Sequence, residues 1–372
     1  MKLKKQLRIW IGENFDLQTA RLKKYRQECA GVSACSEYIS PYPVKLGILK
    51  CFTPLYSTYV RACEELKVSY EVIDLTAEDW MYRVQNSGCD LFLFWPAVVY
   101  SHWKQLGDER ILIISAWMKK PVYPSFEAVW IHESKSRMHY WMQQNGIPHP
   151  ETWVFYDEAD ASAFAEKCAL PVVFKSDMGS GASGVRVCRN RQEIYSLIKK
   201  CFRAGFKNWR QGPYDRQVGF IIFQEHVPVS AEWRILRFGD SFFGHAKKRK
   251  GDFHSGTGIA EWRTPPYKLL DFAYSVTECG GFTGTDIDIF ETTSGDYMVN
   301  EIQAVFGSIR PYQMLVDGVP GRFVRSQTGE WKFVEGMFCQ NACSTLRVVD
   351  AVRKLGIEMD FQKYEGPMPS PY

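Results

Sequence analysis

Between Val172 and Val187 the chain reads Val-Val-Phe-Lys, then Ser-Asp-Met-Gly-Ser-Gly-Ala-Ser-Gly, then Val-Arg-Val. Three glycines within six residues are incompatible with a stable helix, and the β-branched runs on either side favour extended backbone. The pattern predicts two strands, 171–175 and 185–187, joined by a loop. Small residues let backbone N–H groups approach an oligophosphate, serine hydroxyls add donors, and the lysine adds a point charge. It is not a Walker loop, because no Gly-Lys-Ser/Thr opens a helix. Alone, the segment fits a phosphate loop and an ordinary glycine-rich hairpin equally well.

The downstream residues narrow the choice. Residues 220–227 form an apolar strand with a polar end, Phe-Ile-Ile-Phe-Gln-Glu-His-Val, in which His226 is expected to pack. Glu232 and Arg234 share one strand face, because side chains alternate. The basic run Lys247-Lys248-Arg249-Lys250 reads as a strand end with one or two cations turned inward. Asp286 and Asp288 lie on one face of a later strand, and Glu301-Ile302-Gln303 on another. Acidic residues on two adjacent strands can hold Mg²⁺, which keeps waters and needs only one or two carboxylates.

Upstream, residues 44–131 alternate strand and helix patterns. Strands are expected at 44–49, 70–75, 90–95, 111–115 and 122–123, with a helix at 56–67. The apolar 90–95 stretch is typical of a parallel strand buried on both faces. This is a small open α/β unit of Rossmann shape. Lys50-Cys51-Phe52-Thr53-Pro54 stands where dinucleotide-binding glycines would follow the first strand, which disfavours a nicotinamide cofactor. Further helices are expected at 135–144 and 157–168, then a hairpin at 316–323. A last helix, 345–355, turns Leu346, Val349, Val352 and Leu355 inward.

Hydrophobic residues make up 45% and charged residues 24% of the 372, an ordinary globular balance. The net charge of +4 is too small for a dedicated nucleic-acid binder, and the basic excess is confined to residues 1–30. In that segment Leu3, Leu7, Trp10 and Ile11 form a short apolar stripe, read as a helix packing on the α/β unit, with membrane-surface contact as the alternative. No apolar run approaches the ~20 residues of a transmembrane span. Eleven cysteines without a C-x-x-C read as free thiols of a reducing cytoplasm. No Ser-His-Asp or Cys-His constellation offers a nucleophile.

The order of phosphate loop, polar-ended strand, cationic strand and paired acidic strands resembles the ATP-grasp superfamily, in particular the branch with glutathione synthetase and the glutamate ligases that modify a ribosomal protein. The resemblance covers residues 132–310. It implies a mixed α/β and α+β fold: a basic helical extension (1–43), a Rossmann-like pre-ATP-grasp domain (44–131), the ATP-grasp domain (132–312) and a C-terminal extension (313–372). It further implies a carboxylate–amine ligase using ATP and Mg²⁺, working through an acyl phosphate and releasing ADP and phosphate. The substrates would be a small-molecule or peptide carboxylate and an amine donor. Alternatives are a kinase of the same fold acting on a sugar or cyclitol hydroxyl, and a non-catalytic nucleotide-binding scaffold.

By the same likeness, Lys135 and Lys175 would touch phosphates, and Gly179, Ser180, Gly181, Ser183 and Gly184 would form the loop over the γ-phosphate. Gln224, Glu225 and Val227 would hold adenine, mainly through backbone groups, with Glu232 orienting. Arg234, Lys248 and Arg249 would neutralise the transferred phosphoryl group. Asp286 (with Asp288 its same-face competitor), Glu301 and Gln303 would hold metal. Two departures stand out: Gln303 replaces the family's usual Asn, and Ser255-Gly256-Thr257 stands where another Asn is common. Both leave the number of metal ions open. Arg234, the 247–250 run and Arg310 point to an anionic acceptor.

Overall fold

The computed structural model describes residues 23, 27, 31–36, 38, 40–179, 181–208, 215–248, 260–305 and 313–359. Ser180, Arg249, Arg310, the 255–257 segment and, apart from Lys23, the basic residues of 1–30 with the apolar stripe among them lie outside these residues.

The first unit runs β1 (Cys35–Ser36), β2 (Lys45–Lys50), α1 (Tyr56–Leu66), β3 (Ser69–Asp74), α2 (Trp80–Asn86), β4 (Leu91–Phe94), α3 (Ser101–Leu112), β5 (Val122–Tyr123) and α4 (Phe126–Ile131). Its sheet has the order β1-β3-β2-β4-β5, parallel except for β1. The strand expected at 111–115 is not one: α3 continues there into a π-helical turn, Ile113–Trp117. Ile111 and Ile114, three apart, are both buried against the sheet with Phe92 and Phe94. That is helical spacing, so the β-branched run is a helix face.

Next come α5 (Lys135–Gln144), β6 (Thr152–Phe155), α6 (Glu158–Lys167), β7 (Val172–Lys175), β8 (Val185–Cys188), α7 (Arg191–Phe202) and β9 (Ile221–Glu225). The strands form an antiparallel sheet, β6-β9-β7-β8, whose apolar side is covered by Ala161, Ala165, Ile194 and Ile198 of α6 and α7. The remaining elements are β10 (Val229–Phe238), β11 (Ser241–Lys247), β12 (Ala260–Glu261), α8 (Tyr267–Cys279), β13 (Gly284–Thr292), β14 (Tyr297–Gln303), β15 (Leu315–Val316), β16 (Val319–Arg325), β17 (Trp331–Glu335) and α9 (Ser344–Lys354). They build an eight-stranded sheet, β14-β13-β10-β11-β16-β15, with β12 beside β11 and β17 beside β16. Leu269, Leu270, Ala273 and Val276 of α8 pack with Ile235, Ile287, Ile289 and Ile302 of that sheet. At ~1.5–3 kcal/mol per fully buried large aliphatic side chain, this layer anchors strands whose other face is polar.

The C-terminal part is built into this body. Strands β15–β17 extend the large sheet, and α9 wedges between it and the first unit: Leu346 joins the large-sheet core, while Val348, Val349 and Val352 pack with Leu46, Ile48 and Tyr59. Leu355, expected inward, is only half-buried. Among the described residues no helix is long and apolar enough to cross a membrane.

Candidate active site

Strand alternation decides what faces what. On β10, β11, β13 and β14, Trp233, Ile235, Ala246, Ile287, Ile289 and Ile302 enter the core. The opposite face therefore collects Glu232, Arg234, His245, Lys247, Asp286, Asp288, Glu301 and Gln303. Arg234 lies across from His245 on one side and Asp288 on the other. Asp288 faces Glu301, and Asp286 faces Gln303. A bulge in β14 between Val299 and Glu301 adds Asn300 as an extra residue, and its Oδ1 accepts a 2.8 Å hydrogen bond from Lys175 Nζ.

The acids are tightly compensated. Arg234 grips Asp288 with two hydrogen bonds of 2.8 and 3.0 Å, and its Nε is 3.2 Å from Asp286. Lys247 pairs with Glu232 at 2.7 Å and also with Asp288. Burial alone would raise the Asp288 carboxyl, but Arg234 and Lys247 hold it well below the usual range. Asp286 goes the other way. Burial pushes it up to about 7, against the pull of Arg234, and its Oδ1 is buried without a hydrogen-bond partner. His245 is kept neutral, its pKa lowered by burial to about 3.

The two lysines come from opposite sides. Lys175 ends β7 and is almost fully buried, which lowers its pKa to about 8. Lys135 opens α5, whose N-terminus is fastened to the loop after β7: Asp177 Oδ1 accepts from the Ser136 N–H (2.8 Å) and hydroxyl (2.7 Å). Lys135 Nζ lies 3.0 Å from Glu301 and donates to the Gly179 carbonyl at 2.6 Å. Burial would depress this ammonium, but Glu301 and Glu133 raise its pKa overall. Two glycines shape the loop. Gly179 has φ +129°, and a Cβ on Gly184 would stand 1.7 Å from Ser176 Oγ, so only glycine lets the two loop arms close.

Glu133 carries no sequence signal that marks it. It sits in the left-handed region at φ 56°, strained for a residue with a side chain. Its N–H donates to Gln303 Oε1 (3.1 Å), and its carboxylate accepts from the Gly179 N–H (3.3 Å) and stands 3.8 Å from Lys135. It thus ties the phosphate loop to the acidic strands.

The structure gathers Lys135, Lys175, Gly179, Ser183, Gly184, Glu232, Arg234, Asp286, Glu301 and Gln303 in this one region. Others fall differently. Lys248 is exposed just past the end of β11; the inward cation is Lys247, one step earlier, because Phe243, His245 and Lys247 share a face. Gln224 is buried with its amide donating to Thr152 Oγ1 (2.9 Å), so its side chain is committed to the sheet. Gly181 and Glu225 are exposed and Val227 half-buried around the strand end. His226 is exposed, not packed. Asp288, the competitor to Asp286, is the acid directly opposite Glu301. Lys247 is reachable from the two-residue period of β11; Asn300 is not, because it depends on the bulge.

Among the described residues no three His, Cys, Asp or Glu side chains form a ready-made metal cluster. The donors nonetheless fit Mg²⁺, which takes one or two carboxylates and leaves the rest of its shell to water and phosphate. The buried, unpartnered Asp286 Oδ1 is the observation that marks the place. Asp286, Glu301 and the amide oxygen of Gln303 would hold the ion.

A glycine-rich loop on one antiparallel sheet is opposed by an acidic and cationic face on a second, and the part of the chain that carries both matches the model of an ATP-grasp domain. Residues 132–309 are a RimK-like ATP-grasp domain. The chain is 23% identical over 255 residues (65% of this chain, 86% of the relative) to the α-aminoadipate–LysW ligase LysX of Saccharolobus solfataricus. It is 20% identical over 216 residues (49% of this chain, 42% of the relative) to the 2-oxoglutarate carboxylase small subunit of Hydrogenobacter thermophilus. Among solved structures, the carboxyaminoimidazole ribonucleotide synthase of Aspergillus clavatus complexed with ATP superposes with a TM-score of 0.51 at 11% identity, over 88% of this chain and 78% of that one. That last likeness concerns the fold alone.

Proposed function

We propose that the chain joins a small-molecule or peptide carboxylate to an amine in two steps. A substrate carboxylate oxygen attacks the γ-phosphorus of ATP, the bond to the β-phosphate oxygen breaks, and ADP leaves. The amine nitrogen then attacks the acyl carbon of the resulting acyl phosphate, inorganic phosphate leaves, and the nitrogen loses a proton. Mg²⁺, when bound, supplies positive charge that offsets the phosphate oxygens. Lys135 and Lys175 bind the phosphates, the 179–184 loop covers them, and the strand end around Gln224, Glu225 and Val227 offers backbone groups to adenine. Arg234 holds the acid pair in register and faces the transferred group.

The observation that carries this reading is the collection of Asp286, Asp288, Glu301 and Gln303 opposite two largely buried lysines, Lys135 and Lys175. The LysX relative, named as a ligase of α-aminoadipate and LysW, supports the reaction class. The anionic acceptor expected from sequence draws less support, since Arg234 and Lys247 are already engaged by Glu232, Asp286 and Asp288. The test is ADP release with Mg²⁺-ATP across a panel of carboxylates and amines. Turnover that requires both substrates and disappears in Glu301→Ala supports the proposal. Turnover with a hydroxyl acceptor alone contradicts it, as does turnover that survives Glu301→Ala.

A further inference from the structure

Helix α9 lies beyond the RimK-like domain, yet it reaches the acidic strands. Arg347, on its first turn, is completely buried. One nitrogen, Nη1, donates both to the Gly284 carbonyl of β13 (2.8 Å) and to the Ala304 carbonyl just after β14 (3.1 Å). The last rung of the β13–β14 ladder is the Asp286–Gln303 pair. Gly284 is two residues before Asp286, and Ala304 follows Gln303 directly. The guanidinium therefore stands where the next rung would be and clips together the two strand ends that carry the proposed metal donors.

The rest of the side chain makes an improbable choice for packing alone. Its Nε and Nη2 are buried without a well-formed hydrogen bond among the described residues, the Tyr59 hydroxyl being the polar group beside the guanidinium, and the group lies over the Phe238 ring at 4.7 Å and near Trp95 at 5.8 Å. An aliphatic residue would fill such a place without burying a charge that has no carboxylate partner among the described residues. What an aliphatic residue could not do is bridge two carbonyls on two strands. The helix is also fastened to the first unit: Thr58 and Ser344 hydroxyls are 2.7 Å apart, and Asn341 donates to Glu65 at 2.7 Å. A continuous line of contacts thus runs from α1 through α9 and Arg347 to Asp286 and Gln303.

We propose that Arg347 is a positioning residue that sets the spacing of Asp286 and Gln303 for the metal ion accompanying ATP. This rests on the reading of those two residues as metal donors. Positioning groups around metal ligands typically govern ~10–100-fold of metal affinity.

The experiment is calorimetric titration of the full chain with ATP, once with Mg²⁺ and once with EDTA. It uses the parent, Arg347→Met, Arg347→Lys and Val352→Ala, the last removing core methyls of α9 that do not touch β13 or β14. The expected result is that R347M weakens Mg²⁺-ATP binding about tenfold and leaves metal-free ATP binding unchanged. R347K, which keeps the charge and some donors, falls between parent and R347M, and covers the case in which R347M does not fold. V352A melts earlier but keeps the parent's metal dependence. Equal losses with and without Mg²⁺ in the Arg347 variants, or none, overturn the proposal. If the parent itself binds ATP equally well in Mg²⁺ and EDTA, the metal reading of Asp286 and Gln303 fails first and takes the proposal with it.

Discussion

Replacing Lys175 with Met should stabilise the nucleotide-free protein and at the same time weaken its hold on ATP. The Lys175 ammonium is almost fully buried, and burial lowers its pKa from an ordinary 10.5 to about 8 despite Glu301, Glu232 and Asp288 nearby. At ~1.4 kcal/mol per pH unit, that displacement corresponds to roughly 3 kcal/mol of folding free energy at neutral pH. Because the folded-state value lies below the unfolded one, the stability is intact above the unfolded value and is lost as pH falls towards 8. Below that the cost is constant. Methionine matches the stem in length and carries no charge. It leaves the Asn300 oxygen without its donor, so ~3 kcal/mol is a ceiling and about 1–2 kcal/mol the expectation. Thermal melts at pH 7 and pH 10.5 read this directly: Lys175→Met should melt a few degrees above the parent at pH 7 and slightly below it at pH 10.5, where the charge penalty is gone and only the lost Asn300 bond remains. Saturating Mg²⁺-ATP should raise the parent's melting temperature and barely move the variant's. A variant that melts below the parent at pH 7 would refute the electrostatic reasoning. One that gains as much from ATP as the parent would refute the role given to Lys175.

Other expectations concern the acids, the loop and the strand end. Asp286 has its folded-state pKa raised to about 7, so its contribution to stability is fully present below the ordinary carboxylate value of 3.8 and is lost as pH rises to about 7; the parent should lose melting temperature between about pH 4 and 7 and level off above, and Asp286→Asn should flatten that slope. Gly184→Ala forces a Cβ to 1.7 Å from Ser176 Oγ and should cost about 1–3 kcal/mol in denaturant unfolding while weakening ATP binding. Lys247→Ala strips cover from the buried Glu232 and Asp288 and should cost about 3–5 kcal/mol, whereas Lys248→Ala, on an exposed side chain, should stay within ~0.5 kcal/mol of the parent.

Much of the fold can be read along the chain because the deciding signals are local. The glycine spacing after Lys175 allows only a strand–loop–strand, and the apolar 91–94 strand demands cover on both faces, which α9 helps to supply. The 111–115 segment, expected as a strand, shows the limit of composition: Ile111, Leu112, Ile113 and Ile114 suit a strand, and only the burial of Ile111 and Ile114 together reveals a helix. The site divides in the same way. Arg234, Asp286 and Glu301 follow from alternation within single strands. Asn300 and Glu133 join the same site only through a bulge and a left-handed turn, which are properties of the assembled structure. Arg347 is hidden for a further reason. It lies over 40 residues beyond the acidic strands, and its helical spacing reads as plain core packing.

The central claim is that ATP is spent on activating a carboxylate. Hydroxylamine tests it directly, because an acyl phosphate formed in the site is captured as a hydroxamate, whereas a phosphoester is not. The reaction would contain the carboxylate identified by the ADP-release panel, Mg²⁺-ATP, and hydroxylamine in place of the amine. Carboxylate activation predicts hydroxamate formed in step with ADP, and none in Glu301→Ala. Steady ADP production with a phosphorylated hydroxyl product and no hydroxamate would contradict it.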